Sequence, residues 1–145
     1  MIVVDTNVLV YAANRDSPFH AACSTWLEAQ RSRPDAWYST WPVVYEFLRV
    51  TTHARVMHKP FTSAEAWSFL KAVFAAPGFI LLAPSDRHAD LLDDLIAEMP
   101  ELAGNIMHDA HTVSLMREHG LRRIATRDTG FHRFKHIEVV DPVAG

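Results

Sequence analysis

Residues 1–7 read MIVVDTN, and this opening stretch decides the fold class. Residues 1–4 form a short, continuously apolar run dominated by β-branched side chains. Such a run is typical of a strand that is buried on both faces of a parallel sheet. Asp5, Thr6 and Asn7 end the run, so Asp5 is predicted at the carboxyl end of the strand. Because open parallel sheets place their ligand sites beyond this end of the strands, the same stretch predicts where a site lies.

Strand and helix signals alternate along the rest of the chain. Helices are predicted from their capping residues and apolar spacing at residues 17–31, 41–53, 62–74, 85–98 and 104–120. Further strands are predicted at residues 79–83, 123–126 and 137–140. Strands separated by helices favour crossovers and parallel pairing. We therefore predict a single domain, residues 1–145, with an α/β fold: three α/β/α layers around a mainly parallel central sheet.

The composition excludes several classes of protein. A length of 145 residues with 49% hydrophobic and 21% charged residues is typical of one globular domain and excludes intrinsic disorder. A net charge of −3 disfavours binding of nucleic acid through bulk positive charge. The single cysteine, Cys23, excludes an intrachain disulfide and a zinc site with several cysteines. Because the chain has no bilayer-length apolar run and no basic segment at its start, we expect a cytoplasmic protein without membrane contact.

Two aspartates follow predicted strands directly. Asp5 comes after the first strand, and Asp128 comes just beyond the strand at 123–126. If both strands belong to one parallel sheet, both carboxylates lie at the same edge. The alternative is that each is an ordinary loop or capping aspartate, because aspartate is common in both positions.

Glu46 lies within the predicted helix at 41–53. Val43 and Phe47 are its apolar neighbours one turn or one step away, so we expect Glu46 inside a stripe that faces the core. A buried carboxylate requires a cation, a hydrogen-bonding network or a metal ion. The alternatives are an ion pair with Arg49 or Arg55, or a position at the edge of the stripe.

Asp109 lies at the margin of the apolar face of the last predicted helix, at residues 104–120. Asn105 comes one turn before it and points the same way. Asp109 also lies in the first turn, where a carboxylate is stabilised by the positive end of the helix dipole. That local stabilisation is the alternative to a role in a site.

Together, these residues predict a metal site at one edge of the sheet. The set contains four carboxylates, and no Lys or Arg stands among them, so a cation must balance their charge: Asp5, Glu46, Asp109 and Asp128. Oxygen ligands alone select a hard ion such as Mg²⁺ or Mn²⁺. Such a site is suited to phosphoryl or phosphodiester chemistry, because the metal activates water and neutralises charge on the phosphate. The chain has neither a P-loop nor a GxGxxG motif, which disfavours an ATP-driven or dinucleotide-dependent reaction.

Residues 117–135 form the most basic part of the chain. This stretch contains five arginines and one lysine but only two acidic residues. One interpretation is a rim around Asp128 that binds phosphate groups. The other is a solvated surface without a ligand.

Four motifs in fixed order resemble a known family. They are DTNVLVYA at 5–12, VVYEFLRV at 43–50, NIMHDAHTVSLMREHG at 105–120 and ATRDTGFHRF at 125–134. Their order and spacing resemble the PIN-domain ribonucleases, and more narrowly the VapC-type toxins of type II toxin–antitoxin modules. The resemblance implies an α/β/α fold, a homodimer and a cognate antitoxin protein as partner. It also implies Mg²⁺- or Mn²⁺-dependent endoribonuclease activity on RNA that leaves 5′-phosphate and 3′-hydroxyl ends.

The same resemblance assigns roles to individual residues. Asp5, Glu46, Asp109 and Asp128 match the acidic quartet of the family, with Asp5 and Asp109 as direct metal ligands. Glu46 would bind the metal or its water, and Asp128 would be a weaker or second-site ligand. The positions of polar supporting residues in the family correspond to Thr6, Asn7, Asn105 and Thr126. The residues that we expect to contact the RNA substrate are Asn7, Thr126 and Arg127.

The sequence departs from the family pattern at one position, and two alternative functions are compared with the ribonuclease prediction. Many relatives carry a further aspartate where this chain has Gly130, so an extra acidic ligand is absent here. A Mg²⁺-dependent phosphatase-like enzyme would need a second acid two residues after its nucleophilic aspartate, where Asn7 stands after Asp5. A non-catalytic PIN-like binding module is the other rival, and the complete quartet argues against it.

Overall fold

A computed structural model describes residues 1–144, and Gly145, the last residue of the predicted domain, lies outside the described residues. The strands are β1 (Val3–Val4), β2 (Trp37–Thr40), β3 (Phe79–Leu82), β4 (Arg123–Ala125) and β5 (Glu138–Val140). They form one five-stranded sheet in the order β3-β2-β1-β4-β5. Every pairing in it is parallel. The predicted parallel sheet is therefore confirmed, with β1 at its centre.

Helices cover both faces of this sheet. The helices are α1 (Thr6–Ala13), α2 (His20–Arg31), α3 (Trp41–Thr51), α4 (Ser63–Phe74), α5 (His88–Glu98) and α6 (Ile106–Glu118). Val4 packs into the core formed with α1–α4, whereas Val3 packs into the core formed with α5 and α6. Adjacent residues of a strand point to opposite faces, and both valines are completely buried. The three-layer architecture and the doubly buried first strand are thus confirmed. No helix within residues 1–144 has both the length and the apolar character needed to cross a membrane.

Helix α1 and strand β2 were not predicted from the sequence. Helix α1 begins immediately after β1, because the Asp5 side chain accepts a hydrogen bond from the backbone N–H of Thr6 and caps the helix. Strand β2 was missed because it contains the polar residues Ser39 and Thr40, whereas the sequence analysis predicted buried strands from continuous apolar runs. The hydroxyl of Ser39 donates to the carbonyl of Val4, so this buried polar group is satisfied inside the sheet.

Two helices begin later than predicted. Helices α2 and α5 were predicted to start at residues 17 and 85, but they begin at His20 and His88. The predicted capping residues are Ser17 for α2 and Ser85 for α5. The hydroxyl of each serine accepts a hydrogen bond from the backbone N–H of the residue two positions later. The serines therefore form short local turns before the helix rather than capping its first turn. Helix α3 ends at Thr51, two residues before the predicted end.

Glu118 is a buried carboxylate that links α6 to the connection before α5. Its side chain has no exposed surface. It accepts hydrogen bonds from the backbone N–H and the hydroxyl of Ser85 and from the Nδ1–H of His88. Burial alone would raise the pKa of Glu118, but these hydrogen bonds outweigh burial and lower the pKa to about 2.

This arrangement predicts a pH-dependent contribution to stability. At pH 7, Glu118→Gln lowers the free energy of unfolding by about 1.5–3 kcal/mol, because hydrogen bonds to a charged acceptor are replaced by weaker ones. A depressed pKa stabilises the fold above the ordinary value of 4.5, and this stabilisation is lost as pH falls through about 2. Urea denaturation of both proteins at several pH values measures the difference, which should shrink below pH 4.5. The control is Glu98→Gln on α5, a partly exposed ion-pair residue whose loss should change stability by under about 1 kcal/mol. Equal effects of the two substitutions would contradict the assignment.

Candidate active site

All four predicted carboxylates line one pocket at the carboxyl edge of the sheet. The pocket has a volume of about 890 Å³, which is within the range of ligand-binding clefts. Asp5 enters it from the end of β1 and Asp128 from the loop after β4. Glu46 enters from α3 and Asp109 from the first turn of α6. The predicted convergence of four distant segments is therefore confirmed.

Asp5 is held by hydrogen bonds on both carboxylate oxygens. Its Oδ1 accepts the backbone N–H of Thr6 at 2.8 Å. Its Oδ2 accepts the hydroxyl of Thr126 at 2.8 Å and the side-chain amide of Asn7 at 3.1 Å. These bonds come from α1 and from the end of β4, so the orientation of Asp5 depends on two elements at once.

Asn7 and Thr126 extend this network across the sheet edge. The amide of Asn7 also donates to the Thr126 hydroxyl at 2.9 Å, and its carbonyl oxygen accepts the backbone N–H of Arg127 at 3.0 Å. The N–H of Asp128 donates to the same hydroxyl at 3.0 Å. Thr126 is completely buried, which corrects the prediction that it contacts RNA: its side chain positions Asp5 instead. Asn7 bonds in the same network and also lines the pocket.

The structure corrects the predicted burial of Glu46. Its side chain is exposed in the pocket, because the buried face of α3 is formed by Val43, Val44, Phe47 and Thr51. The hydroxyl of Thr6 donates to Glu46 Oε2 at 3.1 Å. Within residues 1–144, no ion pair joins Glu46 to an arginine, so its charge is not neutralised by the predicted alternative partners.

Asp109 and Asp128 approach one another around Gly130. The N–H of Gly130 donates to Asp128 Oδ1 at 2.8 Å. A methyl group built on Gly130 would lie 3.0 Å from Asp128 Oδ1 and 3.3 Å from Asp109 Oδ2. Both carboxylates therefore border the small space that the missing side chain leaves. The departure from the family pattern noted in the sequence is the feature that keeps this space open.

Burial and the neighbouring carboxylates raise the pKa of Asp5 and of Asp109. The pKa of Asp5 rises from 3.8 to about 6, mainly through burial, with further increases from Glu46 and Asp128 that exceed the lowering by its hydrogen bonds. The pKa of Asp109 rises to about 7 through burial and through the negative charges of Asp128, Asp5 and Glu46. At neutral pH the pocket thus contains more negative charge than the protein alone stabilises.

The donor set fits a hard divalent cation. Within residues 1–144, no three His, Cys, Asp or Glu side chains are gathered closely enough to form a ready-made metal cage. Mg²⁺ does not require one, because it usually binds through one or two carboxylates and retains several waters. The space between Asp109 and Asp128, with Asp5 in the same pocket, supplies oxygen ligands and unbalanced charge for such an ion.

Three of the six arginine and lysine side chains in the predicted basic stretch at 117–135 form ion pairs. Its pairs are Arg117 with Glu98 at 2.9 Å, Arg123 with Glu138 at 3.5 Å and Arg127 with Asp141 at 3.3 Å. Arg127 also packs over the ring of Phe19, with its guanidinium carbon 3.9 Å from the ring centre. From this stretch only Asp128 and Gly130 line the pocket, so the structure gives no support to Arg127 as a substrate contact.

Several pocket residues were not predicted from the sequence. Arg49 and Tyr45 line the pocket from α3, and His108 and His111 line it from α6. Arg49 was named from the sequence only as a possible ion-pair partner of Glu46, and its position three residues after Glu46 places both on the same side of α3. Asn105, at the predicted supporting position, also lines the pocket, and its side chain does not cap α6.

The family follows from comparison with known proteins. A model of the PIN domain family matches residues 2–137. The chain belongs to the PIN domain family. This match spans the four motifs, so the resemblance inferred from the sequence is confirmed.

Within the PIN domain family, the sequence of this chain is similar to those of VapC ribonucleases. The chain is 32% identical over 141 residues to Ribonuclease VapC48 of Mycobacterium tuberculosis, covering 97% of both chains. It is also 32% identical over 144 residues to Ribonuclease VapC37 of the same organism, covering 99% of both.

Solved structures support the PIN fold. One is VapBC2 from Rickettsia felis bound to a DNA fragment from its promoter, with a TM-score of 0.70 and 17% identity over 97% of this chain and 98% of that one. Another is the Sarcin-Ricin loop cleaving toxin VapC20 of Mycobacterium tuberculosis, with a TM-score of 0.65 and 15% identity over 92% and 94% of the two chains.

The raised pKa values predict how stability depends on pH and metal. Between pH 3.8 and about 7, Asp5 and Asp109 bind more protons in the metal-free folded protein than in the unfolded chain. The contribution of these two groups to the free energy of unfolding therefore falls as pH rises through this window, and Mg²⁺ restores it at neutral pH. Thermal unfolding in EDTA and in Mg²⁺ measures both effects. Asp109→Asn should flatten the pH dependence and reduce the response to Mg²⁺, whereas an unchanged dependence would contradict the repulsion described here.

The close contacts around Gly130 predict that a larger residue at this position weakens metal binding. Gly130→Ala should weaken binding of Mg²⁺ or Mn²⁺ by about 10-fold, because the methyl group displaces the neighbouring carboxylate oxygens. Calorimetric titration measures the affinity, and thermal unfolding should show little loss of stability. The control is Gly120→Ala, where φ is +68° and nothing lies within 4 Å. It should destabilise the fold and leave metal affinity unchanged. Normal metal affinity in Gly130→Ala would exclude this role.

Proposed function

We propose that this chain is a Mg²⁺- or Mn²⁺-dependent endoribonuclease, the toxin of a type II toxin–antitoxin module. The observation that carries the proposal is the convergence of Asp5, Glu46, Asp109 and Asp128 in one pocket, with burial and mutual repulsion raising the pKa of Asp5 and Asp109. Its similarity over nearly the full length to two VapC ribonucleases supports RNA as the substrate.

Each carboxylate has a distinct place in the proposed reaction. Asp5 and Asp109 would be the principal metal ligands, and Asp128 would contribute from across the space at Gly130. A bound Mg²⁺ or Mn²⁺ supplies activation of water at neutral pH and offsets negative charge on the phosphate. Thr126 and Asn7 keep the Asp5 carboxylate in one orientation while that charge develops.

Glu46 is suited to orient the attacking water. Its carboxylate is exposed in the pocket and is restrained by the hydroxyl of Thr6. A water that it orients would attack the scissile phosphorus in line with the 3′ oxygen. The bond between phosphorus and the 3′ oxygen breaks, and that oxygen takes up a proton. The products are a 5′-phosphate and a 3′-hydroxyl end.

A protein antitoxin and a second copy of the chain are the proposed partners. Two of the structural neighbours are toxin–antitoxin assemblies: VapBC2 of Rickettsia felis and FitAB bound to a DNA fragment. Exposed apolar side chains on this chain, including Trp41 and Ile80, provide surface for such contacts. A cognate antitoxin would cover the acidic pocket until it is removed.

Asp5→Asn should abolish RNA cleavage and leave the fold intact. Asparagine caps a helix as well as aspartate does, so α1 still begins at Thr6, but the metal loses an anionic ligand. We expect a loss of more than about 100-fold, and a loss of about 10–100-fold for Thr126→Val, which removes only the support of Asp5. Sequencing of RNA 5′ ends after brief induction measures cleavage, and circular dichroism checks folding.

Two controls make this test decisive. EDTA should stop cleavage by the wild-type protein, and excess Mg²⁺ should restore it. A generic phosphomonoester should not be hydrolysed, because the phosphatase-like rival lacks the second acid at Asn7. Cleavage at full rate in EDTA, or by Asp5→Asn, would refute the metal-dependent mechanism.

A further inference from the structure

We propose that the RNA strand is held beside the acidic pocket by a basic rim, comprising Arg49, His53, Arg55, His58 and Lys59, that binds its phosphates. This inference rests on the proposed ribonuclease function and adds the surface that positions the substrate. It differs from the sequence-based expectation, which located the phosphate-binding residues at 117–135.

The pocket itself repels the substrate. Four carboxylates line it, and the chain has a net charge of −3, so an RNA phosphate can approach only where local positive charge compensates. Among the described residues lining the pocket, Arg49 is the only arginine or lysine. Its side chain is exposed, and within residues 1–144 it takes part in no ion pair.

The connection from α3 to α4 continues this positive surface. No acidic residue occurs between Glu46 and Glu65. The other members of the basic rim are all exposed, and none of them forms an ion pair within residues 1–144. Val56, in the middle of this connection, lines the pocket, so the rim borders the same pocket that the carboxylates line.

The backbone of the rim is anchored. Met57 is buried with 3% of its surface exposed, and the N–H of Phe61 donates to the carbonyl of Thr51 at 2.9 Å. The N–H of Val56 donates to the carbonyl of His53 at 3.1 Å. These contacts fix the loop while the charged side chains of Arg55 and Lys59 remain exposed. A fixed loop binds a phosphate chain with less loss of conformational entropy than a free one does.

An aromatic side chain stands next to the rim. Tyr45 lines the pocket from α3 and is 68% exposed, so its ring is accessible to a ligand. Exposed aromatic rings beside basic side chains form the stacking platforms on which proteins bind single-stranded RNA. In the proposed complex a base of the RNA stacks on Tyr45 while the adjacent phosphates contact Arg49 and Arg55.

Salt-dependent RNA binding tests the proposal. Every protein carries Asp5→Asn so that RNA is not cleaved, and the probe is a fluorescein-labelled single-stranded RNA of mixed sequence at one fixed Mg²⁺ concentration. Fluorescence anisotropy over a range of KCl concentrations gives the affinity and its salt slope. Arg49→Ala and Arg55→Ala should each weaken binding several-fold and reduce the slope by about 0.7, the value for one lost contact with a single strand.

The controls separate phosphate contact from other effects. Arg122→Ala removes the same charge from an exposed side chain before β4, at the opposite edge of the sheet, and should leave affinity and slope almost unchanged. Arg49→Lys should retain the slope. Tyr45→Ala should weaken binding without changing the slope, whereas Tyr45→Phe should bind normally.

Three outcomes would overturn the inference. Absence of RNA binding, effects of Arg49→Ala and Arg55→Ala no larger than that of Arg122→Ala, or weaker binding with an unchanged slope would exclude the rim as a phosphate site. The first two results would favour a protein partner for this surface. The proposed catalysis is tested separately: a protein that binds RNA through the rim but cleaves none with Mg²⁺ would refute the nuclease function and leave the binding surface established.

Discussion

The burial of Asp5 and Asp109, together with their repulsion by the neighbouring carboxylates, is the constraint on which the site depends. Burial and neighbouring charges together raise the pKa of Asp109 to about 7, so the metal-free pocket resists full ionisation at neutral pH. A structure maintains such repulsion only where other contacts hold the groups in place. Here Thr6, Asn7 and Thr126 donate hydrogen bonds to the carboxylates, and a divalent cation would supply the remaining compensation.

The fold brings these groups together through its central strand. Strand β1 is buried on both faces, and α1 begins directly at its carboxyl end, so Asp5 has little freedom to move. The Thr126 hydroxyl connects the end of β1 to the end of β4, which fixes Asp5 relative to Asp128. Gly130 then allows Asp109 of α6 to approach the same space. The site is therefore a property of the sheet edge rather than of one loop.

The sequence was informative where a residue's environment depends on local pattern and topology. Apolar strand patterns and helix signals were enough to predict a parallel sheet, and therefore that Asp5 and Asp128 share an edge. Side-chain environment was less predictable. Glu46 is exposed because the buried face of α3 is centred on Val43, Val44 and Phe47, a choice set by the packing of neighbouring helices. Arg127 was a plausible phosphate contact, but only tertiary structure shows its pairing with Asp141.

The titration of individual carboxyl groups in the metal-free protein tests the central claim most directly. Carbon-13 NMR of the aspartate side chains, assigned by single substitutions, gives a pKa for each group with and without Mg²⁺. We predict pKa values of about 6 for Asp5 and about 7 for Asp109 without metal, and a marked fall in both when Mg²⁺ is added. Ordinary values near 3.8 that do not respond to Mg²⁺ would contradict it.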